Sequence, residues 1–306
     1  MHKIILAGGS GYLGSLLARH FADMAQSIVI LTRGAAWQRG NVQAVPWDGA
    51  NPGPWQAHLE GADLLVNLAG KNVNCRYTEA NRREILRSRV AATEVLGRAV
   101  AAAKTPPRVW VQFASATIYR HAEDFAMDEI AGEIGYGFSV DVCRQWEKTF
   151  WAQPAPHTRK VILRTSIVLG RGDGAFPRLL NLVRLGLGGR QGNGRQYVSW
   201  IHEADVAGIV EWVAGNEAAT GVYNCTAPGP VTNATLMGLI REAYGVPVGL
   251  PAPAWLLELG AGLIGTETEL VLKSRWVVPA RLLQAGYLFG FPQAGPAVHD
   301  LISTRV

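Results

Sequence analysis

The chain has 306 residues, a length that suits one large domain or two modest ones. Hydrophobic residues make up 48% of it and charged residues 17%, proportions that exclude a disordered chain and predict a well-buried core. The net charge of +5 favours an anionic partner such as a dinucleotide. Because the sequence has no lysine-rich run and no basic stripe interleaved with aromatic residues, we do not expect a nucleic-acid partner.

The cysteines and the apolar segments bear on where the protein works. Cys75, Cys143 and Cys225 stand far apart with no CxxC pair, so we expect a reduced chain without a disulfide framework or a metal site. No signal-peptide pattern precedes the first strand, and the longest apolar stretch, 250–265, is interrupted by prolines and a glutamate. We therefore expect a cytoplasmic protein with no membrane partner.

Short apolar runs alternate with longer amphipathic patterns in the first half of the chain. Strands are predicted at residues 3–7, 27–32, 63–68, 109–114 and 160–166, and helices at 12–24 and 84–103. Strands that are apolar throughout and alternate with helices are typical of a doubly wound parallel sheet, buried on both faces and joined by right-handed crossovers.

The pattern changes in the second half of the chain. Glycine-rich segments at 170–174 and 186–194 are expected to form loops around a binding surface. Residues 206–213 predict a further helix and 222–225 a late strand, and from residue 228 onward we expect mostly short helices and loops.

These patterns suggest a division of the chain into two units. We predict a dinucleotide-binding domain of residues 1–166, completed by about 196–226. Residues 167–195 and 227–306 are then expected to form a smaller substrate-side lobe. The site should lie in the cleft between this lobe and the sheet.

A glycine pattern lies where the first predicted strand meets the first helix. Gly8, Gly11 and Gly14 follow the spacing G-x-x-G-x-x-G. In dinucleotide-binding proteins the first glycine permits a tight turn, the second lets the backbone approach a pyrophosphate, and the third lets the helix pack on the strand. The helix N-terminus then offers free N–H donors and a positive dipole to the phosphates. In this strand–helix context we predict a dinucleotide site rather than a plain glycine turn.

The end of the second predicted strand indicates which dinucleotide binds. Enzymes that use NAD place Asp or Glu there, about 20 residues past the glycine turn, where it binds the ribose 2′-hydroxyl. This chain has Thr32 and Arg33 instead. Thr32 removes a charge that would repel a 2′-phosphate, and Arg33 can pair with that phosphate and stack on adenine. The alternative is an ordinary solvated arginine; we predict NADP(H) as the cofactor.

Several segments together resemble the extended short-chain dehydrogenase/reductase superfamily: the glycine turn, 67–70, 88–96, 114–117 and 200–206. Others narrow the resemblance to an atypical subfamily labelled "epimerase family protein" and described as sugar-nucleotide epimerase-like: 163–170, 184–189, 226–228, 231–233 and 277–283. The resemblance covers nearly the whole chain. It implies an α/β fold with a doubly wound, parallel Rossmann-type sheet of about seven strands and a small, mostly helical C-terminal substrate lobe.

The resemblance and the glycine motif together imply a set of cofactor contacts. The set comprises Gly8, Ser10, Gly11, Tyr12, Leu13, Gly14, Thr32, Arg33, Leu68, Ala69, Gly70 and Arg164. Members of the subfamily usually have Glu after the Leu-Ala-Gly motif, where this chain has Lys71. The substrate is expected to be a small or nucleotide-linked molecule, and the chain could form a homodimer.

The catalytic pair that the superfamily normally uses is missing. Hydride-transferring members carry Tyr-x-x-x-Lys, in which the lysine binds the nicotinamide ribose and lowers the pKa of the tyrosine. No tyrosine of this chain is followed four residues later by a lysine. If Glu147 aligns with the glutamate that often follows the pair, Ser139 stands in place of the tyrosine and Cys143 in place of the lysine.

The remaining catalytic candidates lie at the end of the strand predicted at 109–114: Ser115, Thr117 and Tyr119. By the resemblance, Ser115 matches the position that hydrogen-bonds a substrate oxygen. Tyr119 can reach the nicotinamide side, but without a lysine its pKa is expected to stay high, so packing beside the cofactor is an equal alternative. Two hypotheses follow. One is an NADP(H)-dependent oxidoreductase or epimerase-like enzyme with an unusual proton donor, and the other is an NADP(H)-binding regulatory or sensor protein with little turnover.

Other polar residues have more ordinary expected roles. The pair Asp128 and Glu129 is expected to lie in a solvated turn, and Cys143 to be a small buried helix residue. His202 and Asp205 are expected to form hydrogen bonds and cap a helix. The arginines of the glycine-rich region can converge on a substrate phosphate or lie scattered in solvent: Arg178, Arg184, Arg190 and Arg195.

Overall fold

A computed structural model of the protein describes residues 1–253, 255 and 272–303. Its strands are, in chain order, β1 (Lys3–Ala7), β2 (Ser27–Thr32), β3 (Trp37–Arg39), β4 (Val42–Pro46), β5 (Leu64–Asn67), β6 (Val109–Ser115), β7 (Arg159–Thr165), β8 (Ile167–Leu169), β9 (Tyr197–Val198), β10 (Trp200–His202), β11 (Gly221–Cys225) and β12 (Val231–Thr232). An eight-stranded sheet has the order β11-β7-β6-β5-β1-β2-β4-β3. Its neighbouring strands are parallel apart from β3, which runs antiparallel to β4 at one edge.

This sheet confirms the predicted doubly wound α/β fold. β1 and β2 have the predicted bounds, and β5, β6, β7 and β11 begin and end within one residue of theirs. The sequence patterns do not predict β3 and β4. β3 is exposed along its whole length and β4 is only part-buried, so neither carries the continuous apolar run that marks the inner strands.

The helices are α1 (Tyr12–His20), α2 (Glu79–Ala102), α3 (Phe138–Ala152), α4 (Ala175–Arg184), α5 (Glu203–Gly215), α6 (Asn233–Tyr244), α7 (Ala280–Gln284) and α8 (Ala294–Ser303). Helix α1 ends before the predicted residue 24. Helix α2 begins before the predicted residue 84 because Thr78 caps it, with its hydroxyl accepting the N–H of Asn81 at 3.3 Å.

Two helical layers cover the two faces of the sheet. Side chains alternate along a strand, so Ile4 of β1 packs in the layer that contains α1 and α5, whereas Ile5 packs in the opposite layer with α2 and α3. All of these strand residues are fully buried, as the continuous apolar runs predict. The carboxyl ends of the strands are thereby left open at one edge of the sheet, the edge where ligands bind in such folds.

A third apolar cluster lies on the C-terminal side of the chain. It joins α4, α6 and α8 through residues such as Phe176, Met237 and Val298, all of them buried. The short pairs β8–β10 and β9–β12 accompany it. The two glycine-rich segments flank α4, a helix that the sequence patterns do not predict. The proposed division of the chain at residue 166 stays a prediction.

None of the helices within the described residues combines the length and apolar character that a membrane span requires. Over the same residues, no group of three or more His, Cys, Asp or Glu side chains is arranged to hold a metal ion.

Candidate functional site

The glycine turn joins β1 to α1 in a conformation that depends on two of its glycines. Gly8 has a φ of 71°, in the left-handed region that favours glycine, and a Cβ added there would lie 2.7 Å from the Cα of Ala69. A Cβ at Gly14 would lie 2.1 Å from the carbonyl oxygen of Gly9. A Cβ at Gly11 would contact no atom within 4 Å, so Gly11 faces open space at the start of α1. The turn therefore packs at its ends and leaves its middle open for a ligand.

A cavity of about 490 Å³ opens beside this turn, at the carboxyl ends of β1, β2 and β5. Most of the predicted cofactor residues line it: Gly8, Ser10, Gly11, Thr32, Arg33, Leu68, Ala69 and Gly70. The buried Asn67 shapes the segment opposite the turn, because its Oδ1 accepts the N–H of Ala69 at 3.0 Å. The structure thus brings residues from three strand ends to one elongated cavity.

The other predicted cofactor residues do not line this cavity. The Tyr12 hydroxyl hydrogen-bonds Glu203 of α5, and Leu13 packs against the core. Gly14 lies against Gly9, as described above. Contacts of Tyr12 and Leu13 with a cofactor stay predictions.

Arg164 also lies away from the cavity wall, in β7. Its Nε and Nη2 donate to the two oxygens of Glu147 in α3, each at 2.8 Å, and its Nη1 donates to the Tyr119 hydroxyl at 2.9 Å. Both charged side chains are largely buried, so this is a bidentate ion pair in the interior. The predicted contact between Arg164 and a cofactor stays a prediction.

Two carboxylates of the cavity are occupied by the chain's own donors. Asp48 follows β4, and its Oδ1 accepts the N–H groups of Ala50 at 2.8 Å and Asn51 at 2.9 Å; these bonds lower its pKa. Glu84 of α2 accepts two hydrogen bonds from Arg87, at 2.9 and 3.1 Å. Both carboxylates therefore already accept hydrogen bonds from neighbouring groups of the chain.

Arg33 differs from these paired groups. It is exposed at the end of β2 and lines the cavity. Among the described residues it has no hydrogen bond or ion pair, whereas Thr32 beside it is buried and accepts the N–H of Gly34 at 3.1 Å. The cavity thus has an uncommitted guanidinium at this strand end.

The catalytic candidates Ser115 and Tyr119 bracket a short 3₁₀ turn, Ala116–Ile118, that follows β6. The Ser115 hydroxyl accepts the N–H of Thr117 at 3.2 Å, which leaves its proton available to another acceptor. Tyr119 is buried, and its hydroxyl donates to Oδ1 of Asn224 at 3.0 Å while accepting from Arg164. Burial raises the pKa of Tyr119, and the charge of Arg164 opposes that effect only in part.

Helix α3 carries the two positions that a Tyr-x-x-x-Lys pair would occupy. The Cys143 side chain is buried, which confirms the sequence expectation for it. Burial raises the pKa of its thiol to about 12, so it stays protonated near neutral pH and is a poor nucleophile. Ser139, one turn earlier, is part-buried.

The expectation of a solvated acidic turn is wrong for Glu129. Asp128 does form a turn, accepting the N–H groups of Ile130 and Ala131 at 2.8 and 2.6 Å. Glu129, however, accepts the backbone N–H of Asn224 at 2.7 Å, and burial raises its pKa. It ties the loop after β6 to β11, a long-range contact that a local sequence pattern does not reveal.

The helix-capping prediction for α5 is confirmed. His202 precedes the helix, and its Nδ1 accepts the N–H of Ala204 at 3.2 Å. Asp205 accepts the N–H groups of Gly290 and Phe291, at 2.7 and 2.9 Å. Both residues therefore have structural partners.

The arginines of the glycine-rich region all lie exposed: Arg178, Arg184, Arg190 and Arg195. Arg184 contacts the Asn181 oxygen at 3.0 Å and stacks over Tyr244, and Arg195 lies 4.0 Å from Glu123. These different partners favour the scattered arrangement over convergence on one phosphate.

Comparison with known proteins places this geometry in a family. The sequence model of the NAD dependent epimerase/dehydratase family matches residues 4–226. The chain belongs to that family. A second model, described as a domain of unknown function (DUF1731), matches residues 252–301. The resemblance inferred from the sequence motifs is thereby confirmed.

Individual members of the epimerase family match along nearly their whole length. Epimerase family protein SDR39U1 of Bos taurus is 31% identical, over 98% of this chain and 100% of its own. Epimerase family protein YfhF of Bacillus subtilis is 29% identical, over 99% of each chain. A crystal structure of human SDR39U1 with NADPH superposes with a TM-score of 0.87 at 30% identity, over 99% of each chain.

Sequence reasoning missed several residues that line this cavity or lie behind its wall. Trp47 and Asp48 line the cavity beyond β4, and the strand that positions them lacked a clear apolar signal. Arg89 of α2 lies behind Gly70, where its Cζ would be 3.0 Å from an added Cβ. Nothing in a helical pattern distinguishes such an arginine from a solvated one.

Proposed function

We propose that this protein binds NADP(H) in the 490 Å³ cavity beside the glycine turn, with the adenosine end at Thr32 and Arg33. The observation that carries the proposal is the uncommitted Arg33 guanidinium at the end of β2, in a cavity whose carboxylates are already paired. A 2′-phosphate would accept charge-assisted, bidentate hydrogen bonds from the Arg33 guanidinium. The ribose 2′-hydroxyl of NAD would find no Asp or Glu at the end of β2, where NAD enzymes place one.

The rest of the cavity suits the remainder of the dinucleotide. The start of α1 presents free backbone N–H groups and its positive dipole to a pyrophosphate, and the open face at Gly11 lets phosphate oxygens approach. The NADPH found with human SDR39U1, whose structure matches this fold over 99% of each chain, supports the same assignment here.

For the reaction we propose an oxidoreductase or epimerase-like activity on a small or nucleotide-linked substrate. When bound, NADP(H) supplies hydride transfer. Ser115 has a hydroxyl proton free to donate to a substrate oxygen at the end of β6. The Tyr119 hydroxyl already donates a hydrogen bond to Asn224 and accepts one from Arg164. We therefore assign Tyr119 a role in positioning the strand ends. A homodimer and a substrate-side lobe of residues 167–195 and 227–306 stay predictions.

The environments of Cys143 and Tyr119 favour a second function. Cys143 is neutral and buried where the superfamily resemblance would place a lysine, and Tyr119 is engaged on both sides of its hydroxyl. A protein that binds NADP(H) with little turnover, as a regulator or sensor, requires no proton donor at these positions. The two functions share the cofactor and differ in chemistry.

The cofactor assignment is tested by Arg33→Glu. We expect it to weaken NADPH binding on the order of 10- to 100-fold while NADH binding stays within about threefold or improves, because only NADPH carries the 2′-phosphate. Titration followed by nicotinamide fluorescence gives both dissociation constants. Arg39→Glu is the matched control: it makes the same charge change on exposed β3, outside the cavity lining. An equal loss for both cofactors would show that Arg33 does not bind the 2′-phosphate.

The choice between the two functions is tested by turnover. NADPH-loaded protein is mixed with a panel of carbonyl compounds and sugar nucleotides, and the absorbance of the reduced nicotinamide is followed. Oxidation that falls at least tenfold in Ser115→Ala supports the enzyme. Tight NADPH binding with no oxidation and no epimerised sugar nucleotide across the panel, the products being examined by NMR, supports the regulator.

A further inference from the structure

Arg89 is a part-buried cation that the chain holds in a fixed position. It belongs to α2, and its Nη1 donates to the carbonyl oxygens of Ile85 at 2.9 Å and Lys71 at 3.0 Å. Its Cζ lies 5.0 Å from the ring centroid of Trp146, so the guanidinium is also stacked on an aromatic face of α3. These contacts fix the direction of a side chain that would otherwise be flexible.

The guanidinium lies directly behind the cavity wall. An added Cβ at Gly70 would be 3.0 Å from Cζ and 3.2 Å from Nη1 of Arg89, and both Gly70 and Ser88 line the cavity. Arg89 therefore packs against Gly70, and a side chain at position 70 would press on the guanidinium. Arg33 lines the same cavity from the end of β2, on the adenosine side of the proposed cofactor.

Only one of the three guanidinium nitrogens of Arg89 donates a hydrogen bond to the described part of the chain. Within the described part of the chain, Nε and Nη2 form no hydrogen bond, and no carboxylate forms an ion pair with this guanidinium. Burial lowers the pKa of Arg89, the expected effect when a cation is removed from water. A part-buried cation without an anionic partner has lost some of its hydration, so an anion supplied from the cavity would offset part of that loss.

The Arg89 guanidinium also lies close to Cys143 of α3, the position at which the superfamily resemblance would place a lysine. The charge of Arg89 acts on the Cys143 thiol, opposing the rise in its pKa that burial and Glu147 cause. Cys143 itself carries no charge near neutral pH. Arg89 therefore brings positive charge to this side of the cavity from a different helix.

From this geometry we propose that Arg89 binds the nicotinamide half of NADP(H), donating from Nε and Nη2 to the nicotinamide-side phosphate and its ribose. The inference rests on the proposed NADP(H) binding and extends it to the other end of the cofactor. Arg33 and Arg89 would then hold the dinucleotide at its two ends. Arg89 acts here as a binding residue and transfers no proton, because its guanidinium stays charged.

The test compares two ligands that share only the adenosine half. NADPH contains both halves, whereas adenosine 2′,5′-bisphosphate lacks the second phosphate, its ribose and the nicotinamide. We expect Arg89→Gln to weaken NADPH binding on the order of 10- to 100-fold and to leave the bisphosphate within about twofold, the loss of one or two charged hydrogen bonds. Arg33→Glu should weaken both ligands. Arg98→Gln, on the exposed part of the same helix, should change neither.

Isothermal titration gives both affinities, and the rise in nicotinamide fluorescence on binding reports how firmly that ring is held. Should Arg89→Gln fail to fold, Arg89→Lys replaces it. A lysine keeps the charge but cannot donate to two carbonyls and a phosphate at once, so we expect a 3- to 10-fold loss for NADPH alone. An Arg89 variant that binds both ligands as the wild type does, or weakens both equally, overturns the inference. Failure of the wild-type protein to bind NADPH overturns the proposed function instead.

Discussion

Replacing Gly14 by alanine tests whether the glycine turn is built as the structure describes. A Cβ at Gly14 would stand 2.1 Å from the carbonyl oxygen and 2.3 Å from the Cα of Gly9, where real contacts of this kind stay above 3.0 Å. The two backbone segments must therefore separate by about 1 Å, which a close-packed interior resists. Over-packing costs about 1–3 kcal/mol, and the rigid backbone atoms here favour the upper end. Alanine recovers about 1 kcal/mol as a better helix former, so we expect a net loss of about 2 kcal/mol.

Gly11→Ala is the matched control in the same turn. A Cβ there meets no atom within 4 Å, and the φ of −86° at Gly11 is open to alanine. Its free energy of unfolding should fall by about 0.5 kcal/mol at most, the small cost of alanine at a helix N-cap. NADPH affinity should nevertheless drop on the order of tenfold, because the methyl group occupies the space through which a pyrophosphate approaches.

Urea denaturation followed by circular dichroism measures the stability of both variants, and NADPH titration measures their affinity. The reasoning predicts opposite profiles: Gly14→Ala loses stability, and Gly11→Ala loses affinity. A Gly14→Ala protein within about 0.5 kcal/mol of wild type would refute the packing argument. Equal affinity of Gly11→Ala and wild type for NADPH would refute the assignment of the open face to a phosphate.

Two further predictions concern the interior beside the cavity. Glu147→Gln leaves the largely buried Arg164 without its carboxylate and should cost about 3–5 kcal/mol by urea denaturation, whereas Glu79→Gln, in an exposed pair, should change stability by less than about 1 kcal/mol; similar losses would contradict the burial of the first pair. Iodoacetamide at pH 8 should alkylate Cys75 and spare Cys143, whose pKa burial raises to about 12, with mass spectrometry locating the label. In the unfolded chain the Cys143 thiol ionises near its ordinary pKa of about 8.5, whereas in the folded protein its pKa is about 12. Ionisation therefore stabilises the unfolded state, and the free energy of unfolding should fall progressively as the pH rises from about 8.5 towards 12. Labelling of native Cys143 at pH 8 would show that it is accessible.

The inner strands and the glycine turn could be predicted from local sequence patterns alone. In β1 the residues from Ile4 to Ala7 are buried on both faces of the sheet and are all apolar, and that run can be recognised from the sequence alone. Local geometry likewise requires glycine at positions 8 and 14. Gly8 has a positive φ, and Gly14, at the start of α1, packs against the backbone of Gly9. Thr32 and Arg33 could be assigned because they follow the turn at a set distance along the chain.

The exposed edge was harder to predict because its strands bury little. β3 has no buried residue and β4 has one, so their polar sequences resemble a loop. The cavity residues Trp47 and Asp48 depend on that edge for their position. Without the strands, neither residue could be connected with the cofactor.

The pairing of distant side chains could not be predicted from the sequence. Tyr119 hydrogen-bonds Asn224 from 105 positions away in the chain, and Tyr12 reaches Glu203 across 191. Such contacts engage the hydroxyl of Tyr119, a candidate proton donor, on both sides, and they direct Arg164 to Glu147. Arg89 has the same local pattern as any helical arginine until Gly70 and Trp146 are packed against it. Local rules fix backbone conformation and burial because those depend on near neighbours, whereas hydrogen-bond partners and buried charges depend on residues that only the folded sheet brings together.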